Sequence, residues 1–279
     1  MFAAGPALLF CPADRPERYR KAAERADGVI LDLEDAVSAD SKPQAREFLT
    51  DASNTSELDP ARVVVRINPV DSAEHEHDLR ALTRTPFRTI MVAKAQHPES
   101  LAELPAGYNV IALCETARGV VEAERIAALD RVVALMWGAE DLVASLGGTS
   151  SRTADGSYRD IARSARSRVL TAAGAYGKAA IDAVHVDIAD RDGLRAEAED
   201  AIASGFSATA CIHPSQVETI RAAYRPTNDQ LDWATRVLAA AVGERGVFSF
   251  DGHMVDEPVL LHARSILHRA GTKHPDAGS

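Results

Sequence analysis

The sequence predicts an α/β fold, a (β/α)8 or TIM barrel followed by a C-terminal helical extension. Eight short apolar runs recur along the chain, and most are followed by a stretch rich in Ala, Arg and Glu that has helical character. Each run is hydrophobic throughout, as expected for a parallel strand whose two faces are both buried. Eight such strands within roughly 215 residues fit this barrel, which typically needs about 250 residues.

The predicted strands alternate with predicted helices. They are Ala7 to Cys11, Val29 to Leu33, Val63 to Ile67, Thr89 to Ala93, Val110 to Cys114, Val132 to Trp137, Ile181 to Val186 and Ala208 to Ile212. An open doubly wound sheet is the competing architecture, but its G-x-G-x-x-G phosphate fingerprint is missing after the first strand. The longest loop-like insertion, Gly147 to Asp160, follows the sixth strand, and loops of this length are often functional.

Composition changes after Pro226, which suggests a boundary between two parts of the chain. We expect residues 1–225 to form the barrel and residues 226–279 to form an extension, since about 50 residues seldom bury enough core alone. The extension contains two predicted helices, Asn228 to Val242 and Glu257 to Ala270, with a strand or turn at Gly246 to Gly252.

Length and charge narrow the class of function. The chain has 279 residues, of which 46% are hydrophobic and 26% charged, a globular composition. The net charge of −10 argues against a nucleic-acid partner. No apolar stretch reaches the length of about 18 residues that a membrane span needs, and the first residues do not resemble a signal peptide. Three cysteines without C-x-x-C spacing predict neither disulfides nor a zinc site, which favours a cytoplasmic location.

Charged side chains end most of the predicted strands, at the barrel mouth where active sites of this fold lie. They are Asp32, Glu34 and Asp35, then Arg66, Lys94, Glu115, Glu140 with Asp141, Asp187 and His213. Acidic groups gathered at one mouth repel each other unless a cation lies among them. Carboxylates without a Cys or His cluster favour Mg²⁺ or Mn²⁺ over Zn²⁺, and Glu115 with Asp141 could supply the protein ligands.

Each of these groups also has a simpler structural interpretation. A lone carboxylate at a strand end can cap the following helix. Arg66 suits a substrate carboxylate, but it could equally pair with the acidic cluster at residues 32–35, and Lys94 has the same ambiguity. His213 could be an ordinary hydrogen-bonded histidine. The concentration of charge at several strand ends favours a functional site.

A basic segment follows the first strand. Four cations, Arg15, Arg18, Arg20 and Lys21, lie within seven residues. In an acidic protein such a cluster could hold the phosphates of a nucleotide-like substrate. Alternatively, these side chains lie on the solvated face of the first helix.

Seven motifs occur in order from about Leu8 to Ala270. They are Leu9 to Arg18 (LFCPADRPER), Leu31 to Val37 (LDLEDAV) followed by Lys42 and Ala45-Arg46, Val65 to Asn68 (VRIN), Glu115 to Gly119 (ETARG), Trp137 to Leu142 (WGAEDL), Cys211 to Gln216 (CIHPSQ) and Asp251 to Asp256 (DGHMVD). In these motifs the chain resembles the citrate lyase beta-subunit-like branch of the HpcH/HpaI aldolase family, which also contains malyl-CoA and citramalyl-CoA lyases.

The resemblance implies a TIM barrel with Mg²⁺ held by Glu115 and Asp141. It implies that Arg66 contacts the carboxylate or keto oxygen of a 2-oxo acid, and that the segment Gly138, Ala139, Glu140 and Asp141 binds the substrate, with backbone amides near Gly138 and Ala139 on its carboxylate. Asp32, Glu34, Asp35 and Lys94 would surround these groups, and Arg15, Arg18 and Lys21 would bind CoA. Family members form trimers or paired trimers in which the C-terminal segment covers a neighbour's mouth and supplies an aspartate, here Asp256, as general acid/base.

The implied activity is Mg²⁺-dependent cleavage, or Claisen-type formation, of a 3-hydroxyacyl-CoA thioester such as malyl-CoA, citramalyl-CoA or 3-hydroxy-3-methylglutaryl-CoA. The products would be acetyl-CoA and a keto acid. The alternatives are a citrate lyase beta subunit acting on citryl-acyl carrier protein, a CoA-independent class II aldolase, and a non-catalytic binder that would not need Asp256. Two departures leave the substrate open: Ala93 replaces the family's proline before Lys94, and the loop Gly147 to Asp160 is long.

Overall fold

We describe the protein from a computed structural model, in which residues 5–53, 58–244 and 246–271 are described. The chain divides into two compact units, Met1–Arg221 and Ala222–Ser279. Within the described ranges, no helix is both long and apolar enough to cross a membrane.

The first unit is a closed barrel of eight parallel strands in sequence order, in which the last strand pairs with the first. The predicted TIM-barrel fold is therefore confirmed. The strands are β1 (Ala7–Pro12), β2 (Gly28–Asp32), β3 (Val63–Ile67), β4 (Thr89–Val92), β5 (Asn109–Cys114), β6 (Val132–Trp137), β7 (Ala179–Asp182) and β8 (Ala208–Cys211). The helices are α1 (Tyr19–Arg25), α2 (Lys42–Ser53), α3 (His75–Leu82), α4 (Pro98–Ala102), α5 (Ala117–Ala127), α6 (Ala139–Ser145), α7 (Asp160–Ala175), α8 (Arg191–Ser204) and α9 (Val217–Tyr224), which includes the boundary between the units.

The barrel interior is filled by side chains from all eight strands. They form one buried cluster of Leu8, Ile30, Val64, Met91, Ile111, Leu113, Ala134, Met136, Ile181, Ala208 and Ala210. Intervening strand residues such as Val29 and Val63 are also buried, since alternate side chains of a strand point to opposite faces. Burial of both faces explains why the strand segments are apolar throughout.

The seventh strand differs from its predicted bounds. It covers Ala179–Asp182, whereas the apolar run suggested Ile181 to Val186. After Asp182 the chain leaves the sheet, because His185 is buried against the carboxylate of Glu197 and its carbonyl accepts a hydrogen bond from Gln216. Asp187 is consequently an exposed loop residue, and its predicted place at a strand end is wrong.

The residue that does end the seventh strand, Asp182, is engaged in a structural network. Its Oδ1 accepts a hydrogen bond from Trp137 Nε1 at 2.6 Å, and its Oδ2 accepts one from Arg166 at 2.8 Å. Because Ile181 belongs to the interior cluster, Asp182 points to the helix side of the sheet. This acidic strand end therefore holds α7 to the sheet.

Beyond the end of α9, the described residues of the second unit form two helices and a two-stranded antiparallel hairpin. The helices are α10 (Asn228–Ala240) and α11 (Glu257–Arg269), and the strands are β9 (Phe248–Phe250) and β10 (His253–Val255). Thr227 and Gln230 form a capping box at the start of α10. Val237, Leu238, Val255, Ile266 and Leu267 lie in the buried cluster between these elements, together with Ala234 and Ala263.

Candidate active site

The polar ends of β2 and β3 meet in a buried ion pair. Arg66 donates from Nε to Oδ1 of Asp32 at 2.6 Å and from Nη2 to Oδ2 at 2.5 Å. Asp32 is fully buried, and its position opposite Arg66 follows from the register of the two strands. The guanidinium also lies over the ring of Phe10, 4.8 Å from its centroid. Burial lowers the pKa of Arg66, but the charges of Asp32 and Glu34 raise it above its ordinary value, so the guanidinium stays charged.

Glu34 connects this pair to the next strand end. One of its carboxylate oxygens lies 3.2 Å from Arg66 Nη1, and the other accepts a hydrogen bond from the Lys94 ammonium. Lys94 also lies 3.1 Å from Asp35 and 3.5 Å from Asp141. The backbone of Lys94 has a φ of +48°, which is uncommon for a residue other than glycine and is frequent at functional sites.

Glu115 is the more buried carboxylate of the predicted metal pair. It is 3% exposed, and its Oε1 accepts a hydrogen bond from the backbone N–H of Lys94 at 3.0 Å. Burial and the nearby charge of Asp141 raise the pKa of Glu115 to about 8. Without a further cation, a buried carboxylate beside a second one therefore tends to hold its proton.

Glu115 and Asp141 fit a hard divalent cation. They follow the neighbouring strands β5 and β6, and Asp141 lies in the first turn of α6 with its side chain 38% exposed. Mg²⁺ commonly takes one or two protein carboxylates and leaves its other positions to water and substrate. Among the residues that the structure describes, no group of three or more His, Cys, Asp and Glu is arranged for a metal.

The segment Gly138 to Glu140 directly precedes Asp141, and the backbone of Gly138 lies against Glu115. Gly138 precedes α6 and Ala139 begins it, so their N–H groups belong to a helix start, where N–H groups lack intrahelical partners and suit a carboxylate. Glu140 is exposed and accepts a hydrogen bond from the Ser151 hydroxyl at 2.6 Å. Glu140 thereby holds the long loop after α6 next to the mouth.

That loop is ordered by ring and ion contacts. Arg152 pairs with Glu197 of α8 at 2.5 Å and lies 3.9 Å above the ring of Tyr158. The Tyr158 ring in turn packs edge-on against Trp137, with 5.3 Å between the centroids. The loop is therefore fastened to both β6 and α8.

The candidate CoA-binding residues are exposed. Arg15 and Arg18 have side chains 54% and 64% exposed, and their charge partners are the neighbouring acids Asp14 and Glu17. Lys21 is also exposed, on α1. These contacts leave all three cations accessible to a phosphate and are equally those of an ordinary solvated helix face.

Asp256, the proposed proton-transfer residue, belongs to the second unit. It is partly exposed and begins α11 as its N-cap, accepting a hydrogen bond from the Val259 N–H at 3.4 Å. An acidic N-cap has a structural role of its own. The cap therefore provides a structural reason for the aspartate that is separate from proton transfer.

Two contributors to the site carried no signal as single residues. Phe10 forms a ring surface beneath Arg66, but in the sequence it is one apolar residue in an apolar strand. Gly138 provides space for Glu115, since a Cβ atom there would lie 2.9 Å from the Glu115 Cβ. Gly138 was expected only to bind the substrate through its backbone, and nothing in the sequence indicated that it also makes room for Glu115.

Taken by its architecture and chemistry, the first unit is a TIM barrel with a carboxylate-lined, metal-competent mouth. The family model described as HpcH/HpaI aldolase/citrate lyase matches residues 7–214. The chain belongs to this family, and the predicted resemblance is confirmed.

Individual relatives match over nearly the whole chain. A citrate lyase subunit beta-like protein of Mycobacterium tuberculosis is 58% identical over 269 residues, which cover 96% of this chain and 97% of that protein. The mitochondrial citramalyl-CoA lyase of Mus musculus is 31% identical, with coverage of 94% and 84%. Among solved structures, protein CitE from Mycobacterium tuberculosis in complex with magnesium, acetoacetate and coenzyme A has a TM-score of 0.91 at 57% identity, with coverage of 97% and 100%.

Proposed function

We propose that this protein is a Mg²⁺-dependent carbon–carbon lyase that cleaves a 3-hydroxyacyl-CoA thioester into acetyl-CoA and a keto acid, or forms the thioester in reverse. The observation that carries the proposal is the juxtaposition of Glu115 and Asp141 with Arg66 at one barrel mouth. Two carboxylates suit the metal, and the guanidinium suits the carboxylate or keto oxygen of the substrate. The Mycobacterium tuberculosis relative holds magnesium, acetoacetate and coenzyme A, which supports the proposed metal, the proposed keto acid and the proposed CoA thioester in turn.

The chain's own residues orient the substrate and hold its charge. When bound, Mg²⁺ polarises the substrate's hydroxyl or keto oxygen and the adjacent carboxylate. Arg66 is fixed by its two hydrogen bonds to Asp32, so its direction is set before substrate arrives. Glu115 and Asp141 would hold the metal, and Lys94 places its positive charge between Glu34 and Asp141.

Cleavage requires one proton to leave and one to arrive. The substrate hydroxyl loses its proton to solvent and its oxygen forms the carbonyl of the keto acid. The carbon–carbon bond then breaks, and the electron pair of that bond passes to the thioester α-carbon as an enolate. Protonation of that carbon completes acetyl-CoA, and we assign this step to Asp256. In condensation the same residue would remove the proton.

The assembly and the CoA contacts are part of the proposal. We infer a homotrimer or a hexamer in which residues 226–279 of one subunit cover the mouth of a neighbour, so that Asp256 completes the neighbour's site. Arg15, Arg18 and Lys21 would meet the phosphates of CoA, since they are exposed cations just after β1. The reduced state of the three buried cysteines fits a cytoplasmic location.

The decisive experiment uses the purified protein with Mg²⁺ and then with EDTA. Malyl-CoA, citramalyl-CoA and 3-hydroxy-3-methylglutaryl-CoA are supplied separately, and both acetyl-CoA and free CoA are measured. We expect Mg²⁺-dependent release of acetyl-CoA from at least one thioester. Release of free CoA alone would indicate thioester hydrolysis, and no product from any thioester would contradict the proposal.

The role of Asp256 is tested by Asp256→Asn. Asparagine caps a helix about as well as aspartate, so we expect unchanged thermal stability with a loss of kcat of about 100-fold or more. The matched control is Asp190→Asn, because Asp190 is likewise an N-cap, accepting a hydrogen bond from the Gly193 N–H at 2.8 Å. Full activity of Asp256→Asn in an intact oligomer would remove this residue from the mechanism.

A CoA-independent aldolase uses the same metal site without a phosphate pocket. The two functions are separated by replacing Arg15, Arg18 and Lys21 with Gln. A CoA enzyme then shows a raised KM, whereas an aldolase acting on free pyruvate and an aldehyde shows none. The control removes the same number of exposed charges elsewhere, at Arg125, Arg163 and Arg195.

A citrate lyase beta subunit would act on a citryl thioester of an acyl carrier protein and would need alpha and gamma partners. A stable complex isolated from cells with such subunits would favour this function. Turnover of CoA thioesters by the isolated chain would count against it.

A further inference from the structure

Lys42 is a buried cation behind the acidic turn formed by residues 32–35, and it has no role in the steps described above. It is the first residue of α2 and is 9% exposed. Its ammonium donates hydrogen bonds to the backbone carbonyls of Leu33 at 3.0 Å and Glu34 at 3.2 Å, and to the side-chain oxygen of Asn68. All three donors of the ammonium therefore have an acceptor.

Asn68 fixes this arrangement from the other side. Its Nδ2 donates to the Leu33 carbonyl at 3.0 Å and to Oδ2 of Asp78 at 2.7 Å, which turns its Oδ1 toward Lys42. Asp78 is fully buried, and its other oxygen accepts a hydrogen bond from Arg46 Nε at 2.7 Å. The carbonyl of Leu33 thus accepts hydrogen bonds from both Lys42 and Asn68, and each of these side chains is fixed by further hydrogen bonds.

The ammonium of Lys42 is a charged group in a buried position, which hydrophobic packing alone does not explain. Within the described residues, no carboxylate lies in ion-pair distance of its ammonium, so its direct partners are neutral oxygens. Burying a cation in this way costs free energy unless its charge is used. The mouth in front of it holds five carboxylates, Asp32, Glu34, Asp35, Glu115 and Asp141, against the two cations Arg66 and Lys94.

We infer that Lys42 is a positioning residue for the proposed lyase site, an inference that rests on the proposed function. By holding the carbonyls of Leu33 and Glu34 it fixes the backbone from which the Glu34 side chain extends. Glu34 then reaches both Arg66 and Lys94, and the N–H of Lys94 orients Glu115. Lys42 thereby acts on the substrate-binding arginine and on a metal carboxylate without touching either.

The competing interpretation is that Lys42 only attaches α2 to the barrel. The chain offers a matched lysine for this comparison, Lys178, whose ammonium also donates to a backbone carbonyl, that of Leu129 at 3.2 Å. Leu129 precedes β6 at the N-terminal end of the strand, whereas the candidate site lies at the C-terminal ends. Lys178→Met therefore removes a lysine-to-carbonyl hydrogen bond at the opposite end of the barrel from the candidate site.

The test compares Lys42→Met with Lys178→Met in the full-length protein. Mg²⁺ binding is measured by isothermal titration calorimetry, kcat and KM with the thioester that the wild-type protein cleaves, and folding by circular dichroism and thermal unfolding. Loss of a residue that orients metal ligands from outside typically costs about 10- to 100-fold in metal affinity or activity. We expect Lys42→Met to weaken Mg²⁺ binding about tenfold and to lower kcat even at saturating Mg²⁺, because Arg66 is disturbed as well. Lys178→Met should leave the Mg²⁺ affinity and kcat within about twofold of the wild-type values, well below the loss expected for a residue that orients metal ligands.

Lys42→Arg keeps the inference testable if the methionine variant does not fold. Arginine retains the charge but presents its donors in a plane, so it should restore folding and only part of the Mg²⁺ affinity. Unchanged Mg²⁺ binding and kcat in a folded Lys42 variant, or equal losses in Lys178→Met, would overturn the inference. Absence of lyase activity in the wild-type protein would instead refute the proposed function, and the Mg²⁺ titration would still decide the role of Lys42.

Discussion

The carboxylate of Glu115 packs against the backbone of Gly138 on the neighbouring strand end. A Cβ atom added to Gly138 would lie 3.0 Å from Oε2 of Glu115 and 2.9 Å from its Cβ. The backbone of Gly138, with φ −131° and ψ 127°, is extended and open to any residue. Space beside the proposed metal-binding carboxylate, rather than a special conformation, therefore accounts for glycine at this position.

Gly138→Ala should displace the Glu115 carboxylate and weaken Mg²⁺ binding. Because the contact is made by the proposed metal-binding side chain itself, we expect a loss of Mg²⁺ affinity of about tenfold or more, measured by calorimetric titration. Gly174→Ala is the control, since Gly174 lies in α7 with nothing within 4 Å of an added Cβ atom. Mg²⁺ affinity in Gly138→Ala equal to that of the control would show that Glu115 is not a ligand or relaxes freely.

The raised pKa of Glu115 predicts that Mg²⁺ binding depends on pH. Below its pKa of about 8 the carboxyl is protonated in the metal-free protein, so binding must release a proton. Mg²⁺ affinity should therefore rise from pH 6 to pH 8.5, with close to one proton released per ion at the lower pH. Calorimetry in buffers of different ionisation enthalpy measures this release.

The same shift has a consequence for the stability of the metal-free protein. A carboxyl whose pKa is raised on folding stabilises the native state below its unfolded pKa, and this contribution is lost as pH rises through about 8. The free energy of unfolding is measured in urea with EDTA present. It should fall for the wild-type protein relative to Glu115→Gln as pH rises from the unfolded pKa of 4.5 to about 8. Parallel pH curves for the two proteins would mean that Glu115 titrates normally.

Arg66 has a structural role in the pair with Asp32 and a proposed role in substrate binding, and mutations can separate the two. Arg66→Gln leaves the fully buried Asp32 without its main cation, and breaking a buried pair in this way costs about 3–5 kcal/mol. Adding Asp32→Asn removes the unpaired charge, so the double variant should recover a large part of the free energy of unfolding. It should not recover activity, because the substrate carboxylate still lacks its guanidinium. An active double variant would show that Arg66 serves the fold alone.

The sequence was sufficient to predict the barrel because its strands are buried on both faces, which leaves continuous apolar runs. It also predicted that the charged residues at or just after the ends of β2 to β6 gather at the mouth, since parallel strands end on the same side, but it wrongly added Asp187 as a strand end. It did not decide between two partners for Arg66. The structure pairs Arg66 with Asp32 and Glu34, and a substrate carboxylate would add to this pair rather than replace it.

The errors arose where side-chain direction or local contacts decide the outcome. The predicted strand end Asp187 lies in a loop, and the strand ends instead at Asp182, which faces α7 and pairs with Arg166. The sequence could not show this, because the face of each side chain follows from the bounds of the strand. The predicted seventh strand ran too far because Val184 and Val186 extend the apolar pattern after the backbone has turned. The role of Asp256 is not one of these errors and stays a prediction, which came from family resemblance because in composition Asp256 is one of many acids.

Protonation of His185 should stabilise the folded protein in weakly acidic solution. This histidine is 5% exposed, and its Nδ1 lies 2.9 Å from Glu197. The hydrogen bond to Glu197 raises the pKa of His185, although burial opposes this. A raised folded pKa gives stability that is fully present below the unfolded pKa of about 6.5 and is lost as pH rises through the folded value.

We therefore expect His185→Asn to cost about 1 kcal/mol more at pH 6 than at pH 9, measured by urea unfolding. The control is His213→Asn, because the Nδ1 of His213 contacts the Ser215 hydroxyl instead of a carboxylate. A cost for His185→Asn that is the same at both pH values would show that the charge of His185 contributes nothing to holding the loop after β7.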